Sequence, residues 1–100
     1  MKQSNLTATL LDEQAELSLN ELCRASASST DLIVELVDYG ILKPIGKEQK
    51  AWRFSGSSLE KAFSASRLQH DFDINPAGVA FALDLLDEIK TLREDLHLLN

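Results

Sequence analysis

Between Ser18 and Pro44 the chain reads SLNELCRASASSTDLIVELVDYGILKP, and this stretch constrains what can form around it. Ser18 with Glu21 three residues on is a capping box, and Ser28 with Asp31 repeats the spacing, so side chains mark two helix starts by accepting from orphan amides. Gly40 follows the last periodic residue and can take the left-handed exit of a helix, while Pro44 discourages any resumption. Two short helices, a tight turn and an abrupt exit into an extended segment make a helix-turn-helix unit.

The outward face of the second helix decides what such a unit can read. Leu32, Ile33, Leu36 and Val37 fall on one side at helical spacing, which leaves Asp31, Val34, Glu35 and Asp38 on the other. No lysine or arginine lies between Thr30 and Ile41. A helix entering the major groove meets roughly one phosphate charge per 1.7 Å of duplex, and carboxylates on its face are repelled. The scaffold is that of a nucleic-acid reader, but the surface carries the opposite sign.

The chain has 100 residues, enough for one domain, with a formal net charge of −6. Folding at this size removes about 60–65% of the unfolded surface from water, too little for a self-contained enzyme core with a second large interface. Residues 71–100 carry −5 of the net charge, so the excess is concentrated in the last third. That balance disfavours nucleic acid and anionic membranes and favours basic partners. Cys23, the single cysteine, sits among Leu19, Leu22 and Ala25 in the first helix and reads as a buried small apolar residue, with no disulfide possible within the chain. MKQSNLTATLLDEQ lacks the apolar core and cleavage site of a secretory signal, and no apolar run approaches membrane-spanning length, so a cytoplasmic location is expected.

In chain order, Leu6, Ala8 and Leu10 alternate with Thr7 and Thr9 as a short strand, and Asp12–Leu17 reads as connection. Beyond the helix-turn-helix (18–44), Ile41, Leu42 and Ile45, the polar GKEQK and then AWRF predict a β-hairpin wing over 42–55. Trp52 and Phe54 there pin the wing to the core. Lys43, Lys47, Lys50 and Arg53 make the wing the one basic locality. Ser57 with Glu60 offers a third capping box for a helix over 57–70, with Leu59, Ala62, Phe63 and Leu68 as candidate core residues and Phe72 and Ile74 in an apolar link. Asn75 then caps a last helix over 75–99, with Pro76 at its first position.

That last helix carries two stripes. Ala82, Leu85, Ile89, Leu92, Leu96 and Leu99 alternate three- and four-residue steps, the spacing of a coiled-coil seam, while Val79, Leu83 and Leu86 form a second stripe. One stripe serves the domain and the other is free for a second chain, so self-association is expected. Under three heptads are marginal alone, and an antiparallel pair bracing two domains is the sturdier arrangement.

LSLNELCRAS, the DYGILKP exit, WRFS and the SLEKAFSASRLQHDFDINPAGVAFALDLL succession resemble the MerR-type winged-helix family over residues 18–86. Within it, the early strand, the WxF wing and the IxPxGVAxALDLLDEI-like segment at Ile74–Ile89 are similar to the chaperone-modulator branch, CbpM. The resemblance implies a mainly α, MerR-like winged helix-turn-helix with a short N-terminal strand, a β-hairpin wing and a long C-terminal helix. It also implies a partner, the J-domain of a CbpA-type co-chaperone, whose co-chaperone activity such proteins restrain. The general family motif places Thr-Leu-Arg-Tyr-Tyr-Glu-Arg-Arg-Gly in its DNA-reading helix. With that glycine on Gly40, the first arginine falls on Val34 and the arginine pair on Asp38 and Tyr39, so the cations are gone.

The resemblance gives the J-domain a basic helix that the heat-shock ATPase reads with acidic residues, and an acidic modulator can occupy the same surface. Two acidic sets are candidates: Asp31, Glu35 and Asp38 on the second helix, and Asp84, Asp87, Glu88, Glu94 and Asp95 on the long helix. The long helix is favoured for its charge density, with Asp84, Asp87 and Glu88 at i, i+3 and i+4. His70, His97 and Cys23 lack metal-ligand spacing, and neither a GxSxG nor a glycine-rich phosphate loop is present, so no catalysis, metal or cofactor is expected. Two other classes remain: a MerR-like transcriptional regulator or excisionase-like DNA binder with wing lysines on phosphates, and an assembly domain for another basic partner.

Overall fold

In the computed structural model, residues 16–99 are described. They form β1 (Glu16–Leu17), α1 (Leu19–Ser26), α2 (Thr30–Asp38), one 3₁₀ turn (Gln49–Ala51), β2 (Phe54–Ser55), α3 (Ser57–Phe72) and α4 (Pro76–Leu99). This is the mainly helical, winged helix-turn-helix class that the spacing of caps and apolar residues implies. The strand expected at Leu6–Leu10 lies outside the described residues.

Ser18 makes the expected capping box, accepting from Glu21 N at 3.1 Å while Glu21 Oε1 accepts from Ser18 N at 2.8 Å. The second box does not form as Ser28–Asp31. Ala27 ends α1 in the left-handed conformation, and Ser29 rather than Ser28 caps α2, accepting from Leu32 N at 3.1 Å. Ser28 is used elsewhere: its hydroxyl lies 2.8 Å from that of buried Ser26 and reaches the Ala62 carbonyl of α3 at 3.3 Å. Ser66 on α3 donates to the Ala27 carbonyl at 3.0 Å. The turn is therefore tied to α3 by two hydroxyls, each worth about 1 kcal/mol.

Leu22, Leu32, Ile33 and Leu36 turn inward from α1 and α2 and meet Leu42, Phe54, Leu59, Ala62, Ala65 and Val79 in one core. Phe54 is its largest fully buried side chain, met edge-to-face by Trp52 with ring centroids 6.0 Å apart. Glu16 and Leu17 are not connection: they pair antiparallel with Ser55 and Phe54, which carries Leu17 into the core beside Phe54. That pairing takes Phe54 away from the wing. Ile45 and Arg53 exchange both backbone hydrogen bonds at 2.9 Å, but the ladder stops there, so the wing is a bridged loop and not a two-strand hairpin, and Ile45 stays exposed.

Four further expectations are corrected. α3 starts on Gly56 without a side-chain cap, because Ser57 Oγ is 2.8 Å from Ser55 Oγ instead of serving the helix. Phe63 is exposed, as the buried face of α3 runs through Leu59, Ala62 and Ala65, one position away. α3 also continues to Phe72, which is exposed, before Asp73 turns left-handed at φ 52°. Cys23 is only partly buried, near Thr30.

Two glycines are required for different reasons. Gly40 takes φ +77° at the exit of α2 in open space, whereas Gly46 takes φ +113° where an added Cβ would meet the Ala51 carbonyl oxygen at 2.7 Å. Gly40→Ala is expected to cost about 1 kcal/mol in urea unfolding, and Gly46→Ala more, because backbone must move as well. Equal costs would remove the steric account. Glu21 supplies a pH test. Its hydrogen bond from the Ser18 backbone, then that from the Ser18 hydroxyl, hold its carboxyl below the usual glutamate range. A folded-state pKa that is depressed contributes stability above the unfolded value and loses it as pH falls through the folded one. Glu21→Gln is therefore expected to be less stable than the natural chain at neutral pH, with the gap closing in acid.

Candidate partner-binding surface

α4 has 24 residues and is about 36 Å long. Asn75 starts it, accepting from Gly78 N at 2.8 Å through its side chain, and Pro76 occupies the first turn where no amide is needed. Val79 and Ala80 are buried and Leu83 packs on the core, but every side chain from Asp84 to His97 is exposed. The body ends before the helix does. Leu86, grouped with Val79 and Leu83 by sequence, is 52% exposed because it lies beyond that end.

The apolar seam is open along its length: exposure runs from 43% at Leu85 through Ile89 and Leu92 to 61% at Leu96, and Phe81 extends the stripe at 67%. Ala82 is half-buried, and the side chain of Leu99 lies outside the described ones. Beside the seam stand Asp84, Asp87, Glu88, Glu94 and Asp95, all exposed. Asp31, Glu35 and Asp38 line the outer side of α2, also exposed. Among the described residues none of these carboxylates has a cation within 4.0 Å; the ion pairs found are Lys50–Glu48 at 3.9 Å and His70–Asp71 at 3.3 Å.

A groove beside the exit of α2 takes in part of the α4 acidic set. It runs between the exit of α2 (Gly40, Ile41), the start of α3 (Glu60, Lys61) and α4, where Asp84 and Asp87 line it with Leu83 and Leu86. Lys43, Lys61 and Lys90 border the same groove, and Lys61 donates to the Ile41 carbonyl at 3.4 Å. Glu88, Glu94 and Asp95 do not line it. The C-terminal end of α2 opens here, with Asp38 and no basic residue in its own last turn, so the Lys61 ammonium on the Ile41 carbonyl is a cation supplied from α3.

Part of the basic locality is at the other end of α2. Lys50 and Glu48 of the wing turn share a depression with Ser18, Leu19, Asn20 and Thr30, where α1 and α2 begin. Lys43, Lys47, Lys50 and Arg53 are exposed. The groove itself went unforeseen in the sequence, since it needs the spatial approach of the DYGIL exit to α4. Among the described residues no helix is long and apolar enough to cross a membrane.

The family model for MerR helix-turn-helix regulatory proteins matches residues 17–100. A chaperone modulatory protein, CbpM, of Coxiella burnetii is 30% identical over 99 residues, covering 99% of this chain and 93% of the relative. The CbpM proteins of Pseudomonas putida and Pseudomonas entomophila are 31% and 30% identical over 94 residues, covering 94% of this chain and 90% of theirs. With the family model matched over residues 17–100 and these relatives matched over nearly the whole length, the chain belongs to the MerR helix-turn-helix family of regulatory proteins, in its chaperone-modulator (CbpM) branch.

Proposed function

We propose that this protein binds the J-domain of a CbpA-type co-chaperone through its acidic surface and restrains the co-chaperone's activity by covering the basic helix that the ATPase chaperone needs. The observation that carries the reading is the exposed carboxylates on the outer side of α2 and along the projecting part of α4, none of them within ion-pair distance of a cation among the described residues. Asp38 sits at the unfavourable end of α2, and Asp84 and Asp87 line the groove beside its exit, which Lys43, Lys61 and Lys90 also border. An acidic residue at a helix C-terminus costs about 0.3–1 kcal/mol, and local rules are broken at functional sites more than elsewhere. The names of the relatives give a chaperone-related role, and complementary charge gives orientation and encounter rate to a cationic domain.

Self-association belongs to the same proposal. The seam, exposed from Leu85 to Leu96, pairs with a second copy, and because it is under three heptads the pairing is concentration-dependent. Duplex DNA is not the partner in this reading, since the outward row of α2 is acidic.

Replacing Asp84, Asp87 and Glu88 together by lysine is expected to weaken J-domain binding roughly tenfold or more and to flatten its salt dependence, measured by calorimetric titration at several salt concentrations. Lys47→Glu with Lys50→Glu should leave it unchanged. Unaltered affinity and salt slope in the triple variant, or tight binding of double-stranded oligonucleotide at ordinary salt, would overturn the reading.

A further inference from the structure

The wing carries chemistry that the acidic surfaces leave unused. Lys43, Lys47, Lys50 and Arg53 against Glu48 alone give residues 43–53 a net charge of +3 in a chain of −6, and all four cations are exposed. Their backbone is held. Ile45 and Arg53 exchange two hydrogen bonds at 2.9 Å, the 3₁₀ turn closes through Ala51 N on the Glu48 carbonyl at 2.8 Å, and Gly46 passes close to the Ala51 carbonyl. Facing residues of an antiparallel pair put their side chains on one side of the ribbon. Ile45 therefore stands beside Arg53, away from Trp52 and Phe54, which turn to the core. At 72% it is the most exposed large apolar side chain among the described residues. A fixed aliphatic anchor among cations suits a ligand that is apolar and anionic at once.

We propose that the wing docks an acidic peptide segment of a second protein, with an apolar residue of the segment covering Ile45 and its carboxylates meeting Lys47, Lys50 and Arg53. Lys50 can exchange partners, because its pair with Glu48 spans 3.9 Å between two largely exposed side chains and is worth little. Arg53 spends one nitrogen on the Trp52 carbonyl at 3.2 Å and keeps its other donors. Nucleic acid and lipid fit less well. Thr30 shares a depression with Lys50, so the acidic row that begins at Asp31 stands beside the wing. A duplex, with a major groove about 12 Å wide, or an anionic bilayer meets that row as well and is repelled. An extended peptide needs only about 5 Å, the spacing of neighbouring strands, and stays on the wing. A single nucleic-acid strand is narrow too, but it gains from open ring faces, and Trp52 is half-buried edge-on to Phe54.

Fluorescence anisotropy on the full chain tests this, the probe being a short fluorescein-labelled peptide of alternating glutamate and leucine. The natural chain is expected to bind it, and more weakly as salt rises. Lys47→Glu with Lys50→Glu should bind roughly tenfold or more weakly, and Ile45→Ser about threefold or more weakly with the salt dependence retained. Lys90→Glu with Arg93→Glu, which removes two cations of α4, should bind as the natural chain does. Each variant is first shown to keep its helical circular dichroism and melting. No binding by the natural chain, full binding by the Lys47/Lys50 or the Ile45 variant, or an equal loss in the α4 variant overturns the inference. So does tighter binding of a single-stranded oligonucleotide or of phosphatidylglycerol vesicles than of the peptide. All of these outcomes leave the J-domain reading intact, since the Lys47/Lys50 variant is expected to keep that partner.

Discussion

A dozen buried apolar side chains around Phe54 hold this protein together, and the reach of that core sets what the surface can be. Each inward residue of α1 and α2 finds a partner from β2, α3 or the first two turns of α4, so the body closes at Leu83. The helix continues for about four more turns, of which only the first two run beside α3 and the exit of α2. An apolar stripe there could be avoided at no cost to the body, yet four large side chains, Leu85, Ile89, Leu92 and Leu96, occupy it. Burying each such side chain stabilises by about 1.5–3 kcal/mol, which makes the projecting half a surface suited to an external helix and not an accident of composition.

The same limited core explains the charge. Around the wing and the start of α3, Lys43, Lys47, Lys50, Arg53 and Lys61 outnumber Glu48 and Glu60; where the helix projects, acids outnumber bases. None of the α4 carboxylates is neutralised by a neighbouring side chain within ion-pair distance among the described residues. Exposed pairs would have added at most about 1 kcal/mol each, so little stability is forgone by leaving them open, and a field that extends into solvent is kept.

Much of this was legible because it is periodic or punctuated. The inward set Leu32, Ile33 and Leu36, the Ser18–Glu21 box, the Gly40 exit and the Asn75–Pro76 start each follow from spacing or from a residue with one conformational use. What failed was non-periodic. β1 and β2 have two residues each, too few for alternation to register, and their pairing joins Leu17 to Phe54 across most of the helix-turn-helix. Ser28 and Ser29 are equally good caps by type, and only the approach of Ala62 diverts the first. Phe63 and Phe72 are apolar but lie off the buried face of α3, which a count of hydrophobic residues cannot see. The acidic residues were legible as a set; the corner that gathers Asp84 and Asp87 with the α2 exit was not, because it is made by tertiary contact.

A helix that reads duplex DNA offers an uncharged or cationic face, and the positive end of its dipole is open to phosphate. In α2 each of these conditions is inverted. The wing turn, with Glu48 beside Lys50, lies against the N-terminal end. The outer face bears Asp31, Glu35 and Asp38. The C-terminal end, without a cation in its last turn, opens onto carboxylates of α4. Any one of these changes could be neutral drift on a surface. Together they set α2 apart from a helix that approaches phosphate, because its outward row repels an anion and its last turn adds no cation of its own.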